Sequence, residues 1–545
     1  MIEDYYGDFY RTIFECVAGS RLSAQHVAQK CHLPLRQARA GLAGLVQSRL
    51  VHHHTTRDGP TVYSANLNNA YDIIRTGQLI EEAHRAHGEL GADIITAACD
   101  LGFCTIGELR DRVLLLRGED NETQHSRRIE TTIDHLLNHH FLTNLRKAHF
   151  AEEHDVRREV ELKILSPAAI AKLTGTKAKA EHQAAIDRAY FEAINTATSD
   201  HGRVNNSFMS KDSTSQASNA ASTTMNGHSS RISTLVQPNI YKVVELAQAM
   251  VVADHVHQIY GKQAATIAGR AVRNAAYSDI WDKPDSLLDI PVKPLNVYKL
   301  LDDVNSAQRQ QEPSPTTMTN GASSNGTIRH ETNTQPELEL DDLEYELRLL
   351  AETTCGEWLR VTEESSFLIH KGALDIWIRK EETLRLLDSR VDDPGPRILR
   401  ILIDKGKLEE RTLQELGLLD AKRLRQSLAA LKQMGYIELQ EVPRNPTRQP
   451  NMTVFLWAYE QGRVGSLTLE HMYTAILRLL QLLKLERSKI GSTLMKIDRE
   501  DVKGREEEAL GSAEYTVLNR FRRIESWIWA EIQRLDGSVA ILRDT

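Results

Sequence analysis

Cysteine is the first shortage in this sequence, with five residues in 545 and no CxxC pair among them. Cys99 and Cys104 are five positions apart and have no second pair to complete a ligand set, so their spacing does not fit a zinc site. Sparse cysteine is typical of proteins that remain in a reducing compartment. We therefore expect no structural zinc and a reducing environment.

Long apolar runs and an excess of positive charge are also missing. No stretch approaches the roughly 18 apolar residues of a membrane-spanning helix, and the N-terminus lacks the basic lead and apolar core of a signal peptide. The formal net charge is −8, whereas a protein that holds DNA by itself is usually basic. Any contact with nucleic acid should therefore be local, or shared with a partner.

Motifs of catalytic chemistry are missing as well. The sequence has no GxxxxGK[ST] loop, no GxGxxG loop after a strand, no HExxH metal motif and no GxSxG nucleophile. The adjacent histidines His52, His53 and His54 would alternate between the two faces of a strand and so cannot share one metal ion. We expect a protein that is not an enzyme, uses no cofactor and binds no metal.

What the sequence does contain is a pattern of three helices and two strands in residues 391–461. The third helix has Leu424, Leu428 and Leu431 at the i, i+4, i+7 spacing of a helix that buries one face. Gly435 ends this helix, and apolar residues at 436–442 and 453–457 predict two strands. Three helices and then a hairpin is the order of a winged-helix domain, which commonly presents its third helix and wing to nucleic acid.

This pattern recurs upstream, which predicts four tandem copies. The predicted domains are winged helix 1 with a linking helix at 1–87, winged helix 2 with a linking helix at 88–198, winged helix 3 at 239–390 and winged helix 4 at 391–461. The second copy should have its return strand at Val160, Leu162 and Ile164, and the third copy should have its return strand at 367–378.

Two segments are rich in serine, threonine, asparagine and glycine and poor in large apolar residues. They cover residues 199–238 and about 305–336. Such a composition cannot bury enough apolar surface to offset the entropy lost on ordering. We predict two disordered inserts, the second of which interrupts the third copy.

Residues 462–545 follow a different, seven-residue period that predicts a coiled-coil hairpin of two helices. The seams are predicted at Leu469, Ile476, Leu483, Ile490 and Ile497 in the first helix and at Val517, Phe521, Ile524, Ile528, Leu535 and Leu542 in the second. The hairpin either packs on the body or docks onto a partner, and an exposed Trp527 or Trp529 would favour docking. The candidate partner-binding residues are Ile476, Leu483, Ile490, Phe521 and Ile528.

Basic residues on the third helices and wings are the candidates for contact with nucleic acid. They are Arg36, Arg39 and Arg57 in the first copy, Arg127 and Arg128 in the second, and Lys422, Arg423, Arg425, Arg444 and Arg448 in the fourth. Such contacts would be made to phosphates and would not read the base sequence. The alternative is that these side chains are solvated or pair with acidic groups on neighbouring subunits.

The predicted fold is mainly α with small β-hairpins, four winged-helix domains in tandem and a C-terminal coiled-coil helical hairpin. In this order of parts the chain resembles the third-largest, winged-helix subunit of RNA polymerase III, which is related to the alpha chain of transcription factor IIE. The detailed likeness lies in residues 21–51, 253–273 and 435–443. The two inserts have no counterpart in the family pattern.

The resemblance implies a non-catalytic subunit of a nuclear polymerase, with the active site on other chains. Its partners would be the other polymerase subunits, including two smaller ones that complete a heterotrimer near the clamp, together with promoter DNA and the initiation factor. Its role would be promoter-specific initiation and the opening of DNA. Two alternatives are a free-standing DNA-binding regulator and a winged-helix protein scaffold.

Overall fold

The computed structural model describes residues 1–55, 59–118, 123–164, 175–195, 235–274, 294–311, 338–353, 356–362, 366–391, 393–443, 453–497, 499, 502, 505, 507 and 510–544. These residues form two compact units. Those up to Val243 belong to the first unit, and those from Val244 onwards belong to the second.

Helices make up most of the described residues. The first unit contains Ile2–Tyr6, Asp8–Ala18, Ala24–Lys30, Leu35–Gln47, Leu67–Asp72, Thr76–Leu101, Ile106–Arg117, Thr123–Asn138, Glu153–Ile164 and Thr176–Asn195, with short 3-10 turns at Ile73–Arg75 and Lys147–Phe150. The division between the units falls near the start of Tyr241–Tyr260. The second unit continues with Lys262–Asn274, Val297–Gln311, Leu340–Glu352, Lys371–Asp388, Gly395–Lys405, Glu410–Gly417, Ala421–Gln433, Gln461–Lys489, Gly491–Ile497 and Ser512–Asp544. None of the described helices has the length and apolar character needed to cross a membrane.

The strands form four small antiparallel sheets. The two sheets of the first unit join Leu22–Ser23, Thr61–Ala65 and Val51–Thr55 in that order, and Cys104–Thr105, Leu235–Pro238 and Leu142–Asn144 in that order. The sheets of the second unit pair Leu359–Val361 with Phe367–Ile369, and Glu438–Pro443 with Thr453–Ala458. In both three-stranded sheets, the last strand along the chain lies in the middle.

One hydrogen-bonded pairing occurs four times. Each time, a residue just ahead of a helix pairs with the return strand, which is the later of the two strands that pair with each other beyond the next two helices. The four pairs are Leu22 with Tyr63, Cys104 with Val236, Leu295 with Phe367, and Leu408 with Trp457. The Leu295 amide donates to the Phe367 carbonyl at 2.8 Å, and the Trp457 amide donates to the Leu408 carbonyl at 2.8 Å. Four segments of the chain therefore have the same connectivity.

Each of these segments has its own hydrophobic core. Residues at their centres, which are almost inaccessible to solvent, are Ile13, Leu42 and Leu45 in the first, Ile94, Leu109 and Ile133 in the second, Leu300, Leu347 and Phe367 in the third, and Leu399, Leu413 and Leu428 in the fourth. Burying one such side chain contributes roughly 1.5–3 kcal/mol relative to leaving it exposed. The helical spacing of these residues is therefore what draws the three helices of each segment together.

A break in the helix Thr76–Leu101 separates the first two segments. Gly88 has φ 69° and ψ −165°, which is a conformation that glycine adopts without the steric penalty that a Cβ brings. The part before Gly88 follows the first sheet. The part after it, with Ile94 and Ile95 buried, supplies the first helix of the second segment.

The last two long helices, Gln461–Lys489 and Ser512–Asp544, pack against each other. Arg487 pairs with Glu525 at 2.7 Å, and Lys496, further along the chain, pairs with the earlier residue Glu514 at 2.6 Å. The later of the two basic residues pairs with the earlier of the two acidic residues, so the two paired stretches of the chain run antiparallel. Ile476, Leu483, Phe521 and Ile528 are buried.

The return strand predicted at Val160, Leu162 and Ile164 is wrong. These residues lie in the helix Glu153–Ile164, and the strand that pairs with Leu142–Asn144 is Leu235–Pro238. Alternation of apolar and charged residues suggested a strand. The ion pairs of Arg157 with Glu153 and of Lys163 with Glu159 join residues four apart, which stabilises a helix instead.

The predicted inserts are each shorter than expected at one end. Leu235 and Val236 are completely buried in the second sheet, so the last four residues of the first insert are structured. The helix Val297–Gln311 continues into the second insert, and the Asn305 amide exchanges hydrogen bonds with the backbone of Leu338. The remaining parts, 199–234 and 312–336, lie outside the described residues.

Two other predictions about elements need correction. In the third segment the return strand is only Phe367–Ile369, because Lys371 begins an 18-residue helix. In the C-terminal helix the predicted seam residue Val517 is 47% exposed, and its neighbour Leu518 is buried instead. The packing of this helix is therefore out of phase with the prediction at its start.

Candidate nucleic-acid interface

The helix Ala421–Gln433, which we call the basic helix, is the third helix of the last segment. Asp420 caps its start by accepting a hydrogen bond from the Lys422 amide at 3.2 Å. Leu424, Leu428 and Leu431 are buried against the rest of the segment. The leucine row therefore fixes which side of the helix faces solvent.

The solvent side of the basic helix carries four cations and no acidic residue. They are Lys422, Arg423, Arg425 and Lys432, all exposed. Among the described residues, no ion pair involves Lys422 or Arg423. Lys432 was not predicted as a candidate, although its position in the last turn also suits a cation, because the carbonyl end of a helix is partly negative. The helix thus offers a local positive surface on a protein with a net negative charge.

Arg425 already has a partner within the segment. Its Nε lies 2.6 Å from Glu410 Oε1, with the arginine side chain 71% exposed and the glutamate 38% exposed. Exposed pairs of this kind are worth about 0–1 kcal/mol because water and salt screen them. Arg425 is therefore available to a stronger anion such as a phosphate.

The two wing strands next to the basic helix are paired over six residues, from Glu438 with Ala458 to Pro443 with Thr453. Their exposed charges are acidic: Glu441 faces solvent, and Glu438 pairs with Arg463 at 2.7 Å. The predicted candidates Arg444 and Arg448 lie outside the described residues. Within the described part, positive charge therefore comes from the helix and not from the strands.

The first-segment candidates lie on the third helix, Leu35–Gln47. Arg36 and Arg39 are exposed, whereas Ala38 and Leu42 of the same helix are buried. Burial raises the pKa of Tyr63 in the strand Thr61–Ala65, and the positive charge of the nearby Arg39 opposes this rise. Arg57 falls outside the described residues. The structure thus places Arg36 and Arg39 together on one solvent-facing helix.

The second-segment candidates Arg127 and Arg128 are exposed near the start of the helix Thr123–Asn138. The same helix also carries Glu130 and Asp134, and Glu130 forms an ion pair with Arg110 at 3.0 Å. Its charge is therefore mixed, and it is a weaker site for an anionic backbone than the basic helix.

The third segment differs from the other three. Its third helix, Leu340–Glu352, which we call the acidic helix, has five acidic residues and one basic residue. Asp341 and Asp342 are exposed at its start. No nucleic-acid candidate was predicted on this helix, and its charge disfavours a phosphate backbone.

The candidate partner-binding residues Ile476, Leu483, Ile490, Phe521 and Ile528 are all buried. Their burial assigns them to packing inside the chain, and a role in attachment stays a prediction. The outer faces of the same helices carry exposed apolar side chains, one of which, Trp527, would favour docking when exposed. Trp527 is 56% exposed, and Leu477 and Leu485 are similarly exposed. The sequence could have indicated these residues, because they are apolar and fall between the seam positions of the heptad pattern.

Among the described residues, no group of three or more His, Cys, Asp or Glu side chains is placed to hold a metal ion. The charged side chains that the basic helix presents are all cations. Their chemistry suits the binding of anions.

Comparisons with known proteins agree with the pattern in the last segment and extend over the whole chain. A family profile described as POLR3C, C-terminal winged-helix domain, matches residues 385–459. All of the chain aligns with DNA-directed RNA polymerase III subunit rpc3 of Aspergillus oryzae, at 28% identity and 98% of that protein's length. The corresponding subunit of Aspergillus niger is 26% identical over 98% of its length, and that of Coccidioides immitis is 25% identical over 98%. The resemblance that the sequence indicated is confirmed.

Proposed function

We propose that this chain, all of which aligns with RNA polymerase III subunit rpc3 of Aspergillus oryzae, serves the nuclear polymerase as a non-catalytic subunit in promoter-specific initiation. In this role it forms a heterotrimer with two smaller subunits near the clamp and helps to open promoter DNA in concert with the initiation factor. The observation that carries the proposal is the similarity along the entire chain to proteins that bear this subunit's name.

The proposed architecture is four winged helices followed by a coiled-coil hairpin. The fourfold pairing between the residue ahead of the second helix and the return strand supports the first part. The antiparallel packing of Gln461–Lys489 and Ser512–Asp544 supports the second. Each winged helix would then present its own third helix, so one chain offers four different surfaces.

Contact with DNA is proposed to centre on the basic helix. Its four exposed cations have no acidic neighbour within the helix, whereas the net charge of the chain is −8. Each phosphate that is neutralised releases counterions, so such binding weakens as salt rises. A chain that has a negative net charge and carries the basic helix suits a subunit that a larger assembly places on DNA.

Attachment to the polymerase is proposed to use the outer face of the C-terminal hairpin. An exposed tryptophan is the kind of anchor that dominates protein interfaces. Trp527 is exposed on the second helix, and Leu477 and Leu485 are exposed on the first. The buried seam residues would act indirectly, by keeping the two helices together.

Purification of the tagged chain from nuclei, followed by identification of what co-elutes, tests the proposal. We expect the large polymerase III subunits and two smaller proteins in equal amounts. The purified chain alone should not synthesise RNA with magnesium, whereas the assembly should do so from a promoter. Recovery of the chain alone, bound to a specific duplex, would support a free-standing regulator. Recovery with a non-polymerase complex that has no affinity for DNA would support a scaffold.

A further inference from the structure

Two cysteines that are 15 positions apart in the sequence meet in the first segment. Cys16 lies in the helix Asp8–Ala18, and Cys31 follows the end of Ala24–Lys30. Their sulfur atoms are 2.7 Å apart. A disulfide bond is about 2.0 Å long, so the sulfurs need to move by only roughly 0.7 Å to become bonded.

The backbone around this thiol pair is held by hydrogen bonds. The Cys31 amide donates to the Val27 carbonyl at 2.9 Å, which anchors Cys31 to the end of its helix. Lys30 Nζ donates to the Cys16 carbonyl at 3.2 Å, and Cys31 Sγ lies 3.8 Å from the Thr12 carbonyl. The two thiols are therefore kept facing each other.

The thiol pair is also open to small reagents. Cys16 and Cys31 are both partly exposed, whereas Cys104 in the second segment is buried. Burial raises the pKa of Cys31 to about 12, with a hydrogen bond and charge from Cys16 acting in the same direction and Lys30 opposing them. Two of these causes vanish once Cys16 is no longer a thiol, so reaction at Cys16 prepares Cys31 to follow.

We propose that Cys16 and Cys31 form a redox modification site that reacts with low-molecular-weight disulfides to give an intramolecular disulfide. The Cys16 thiolate attacks one sulfur of the small disulfide, whose S–S bond breaks and releases one thiolate. The Cys31 thiolate then attacks Cys16 Sγ and releases the second. The two protons lost by the cysteines are taken up by the two thiolates released. The protein pair is oxidised by two electrons, and the small disulfide is reduced to two thiols.

The new bond would join the first helix of the segment to the end of its second helix. It closes a short loop, which restricts the unfolded chain and so stabilises the folded segment. The third helix, with Arg36 and Arg39, packs on both of these helices. In a reducing environment the pair rests as two thiols, and it closes when small disulfides accumulate.

The test is to expose the reduced, full-length protein to oxidised glutathione, to alkylate the remaining thiols and to digest it without reduction for mass spectrometry. We expect a peptide that links Cys16 to Cys31 and that dithiothreitol separates. The fraction of Cys16 and Cys31 that can still be alkylated should fall roughly tenfold faster than that of Cys99, which lies outside the thiol pair. Slower hydrogen exchange in residues 8–47 should accompany the link.

Two variants keep the proposal falsifiable. In Cys31→Ser the reaction should stop with glutathione attached to Cys16, and Cys99→Ser should behave as the wild type. Stable glutathione adducts on the wild-type pair, or alkylation of Cys16 that is as complete as before treatment, would overturn the proposal. A link from Cys16 or Cys31 to Cys99 would overturn it as well.

Discussion

The acidic helix and the basic helix have the same inner face and opposite outer faces. Both are 13 residues long, and both bury three leucines at i, i+4 and i+7: Leu343, Leu347 and Leu350 in one, and Leu424, Leu428 and Leu431 in the other. The acidic helix adds five acidic residues and one basic residue, whereas the basic helix adds four basic residues and none that is acidic.

This difference separates what makes the fold from what selects a partner. The leucine rows fit the same three-helix arrangement, because burial of a regular apolar stripe is what holds such a helix in place. The outer faces do not contribute to that packing and are free to differ. A phosphate backbone would attract one of these helices and repel the other, so we expect equivalent helices of this chain to differ in their partners.

The largest expected effect tests the shared inner face. Leu347→Asp and Leu428→Asp each place an unpaired charge in a core, which should destabilise either segment by about 3–5 kcal/mol. Hydrogen exchange in the full chain should rise to a similar degree in residues 338–353 for the first variant and in residues 420–434 for the second. Ala429→Asp, on the exposed face of the basic helix, is the matched control and should cost less than about 1 kcal/mol. Loss of structure in only one segment would show that the rows are not equivalent.

The next effect extends the distinction between inner and outer faces to the C-terminal hairpin. Ile476→Ala removes a buried side chain and should lower the stability of the hairpin by about 2–5 kcal/mol. Trp527→Ala should change stability by within about 0.5 kcal/mol and should instead reduce the amount of polymerase that co-purifies. Urea unfolding and quantitative co-purification measure the two outcomes. Unchanged co-purification of a folded Trp527→Ala protein would rule out the outer face as the attachment surface.

The inner faces could be predicted from the sequence because their signal is local. Leu424, Leu428 and Leu431 lie within eight positions, and the wing strands were expected within about two residues of Glu438–Pro443 and Thr453–Ala458. The spacing of the apolar residues and the positions of the turn residues are enough to predict such features. The family match over residues 385–459 falls on the same segment, where local pattern and fold agree most closely.

Features that depend on distant partners could not be predicted. The strand Leu235–Pro238 is four residues long and pairs with Leu142–Asn144 more than 90 positions earlier, so only the folded chain reveals it. The sequence alone favours residues 160–164 for this strand, because they lie nearer and their apolar and charged residues alternate. The approach of Cys16 to Cys31 and the phase of the last helix at Val517 have the same origin, because tertiary contacts decide both.

Charge reversal tests the outer faces directly. Lys422→Glu with Arg423→Glu should weaken binding of assembled polymerase to promoter DNA of any sequence and should lower the slope of log affinity against log salt by about 1.8, or 0.9 for each phosphate contact. The matched control is Asp341→Lys with Asp342→Lys on the acidic helix, which should leave the slope unchanged. Equal slopes for the wild type and the basic-helix variant, in a correctly assembled enzyme, would assign the basic helix to protein contacts.

The smallest effect concerns the ion pair between Arg425 of the basic helix and Glu410 of the preceding helix. Glu410→Gln removes the carboxylate that lies 2.6 Å from Arg425 Nε and leaves the arginine without this partner. Stability should change by less than about 1 kcal/mol, because both groups are exposed and screened. DNA affinity should rise by no more than about fivefold, since a gain below 1 kcal/mol corresponds to less than that factor.

The double variant Glu410→Gln with Arg425→Gln decides how that gain arises. If Arg425 is the group that meets phosphate, the double variant should lose the gain and bind more weakly than the wild type in titrations at two salt concentrations. If affinity stays raised without Arg425, the gain comes from removing a negative charge near the DNA, and Arg425 makes no contact. The ion pair within this segment would then be a structural link of the basic helix, and Lys422, Arg423 and Lys432 would carry its positive surface.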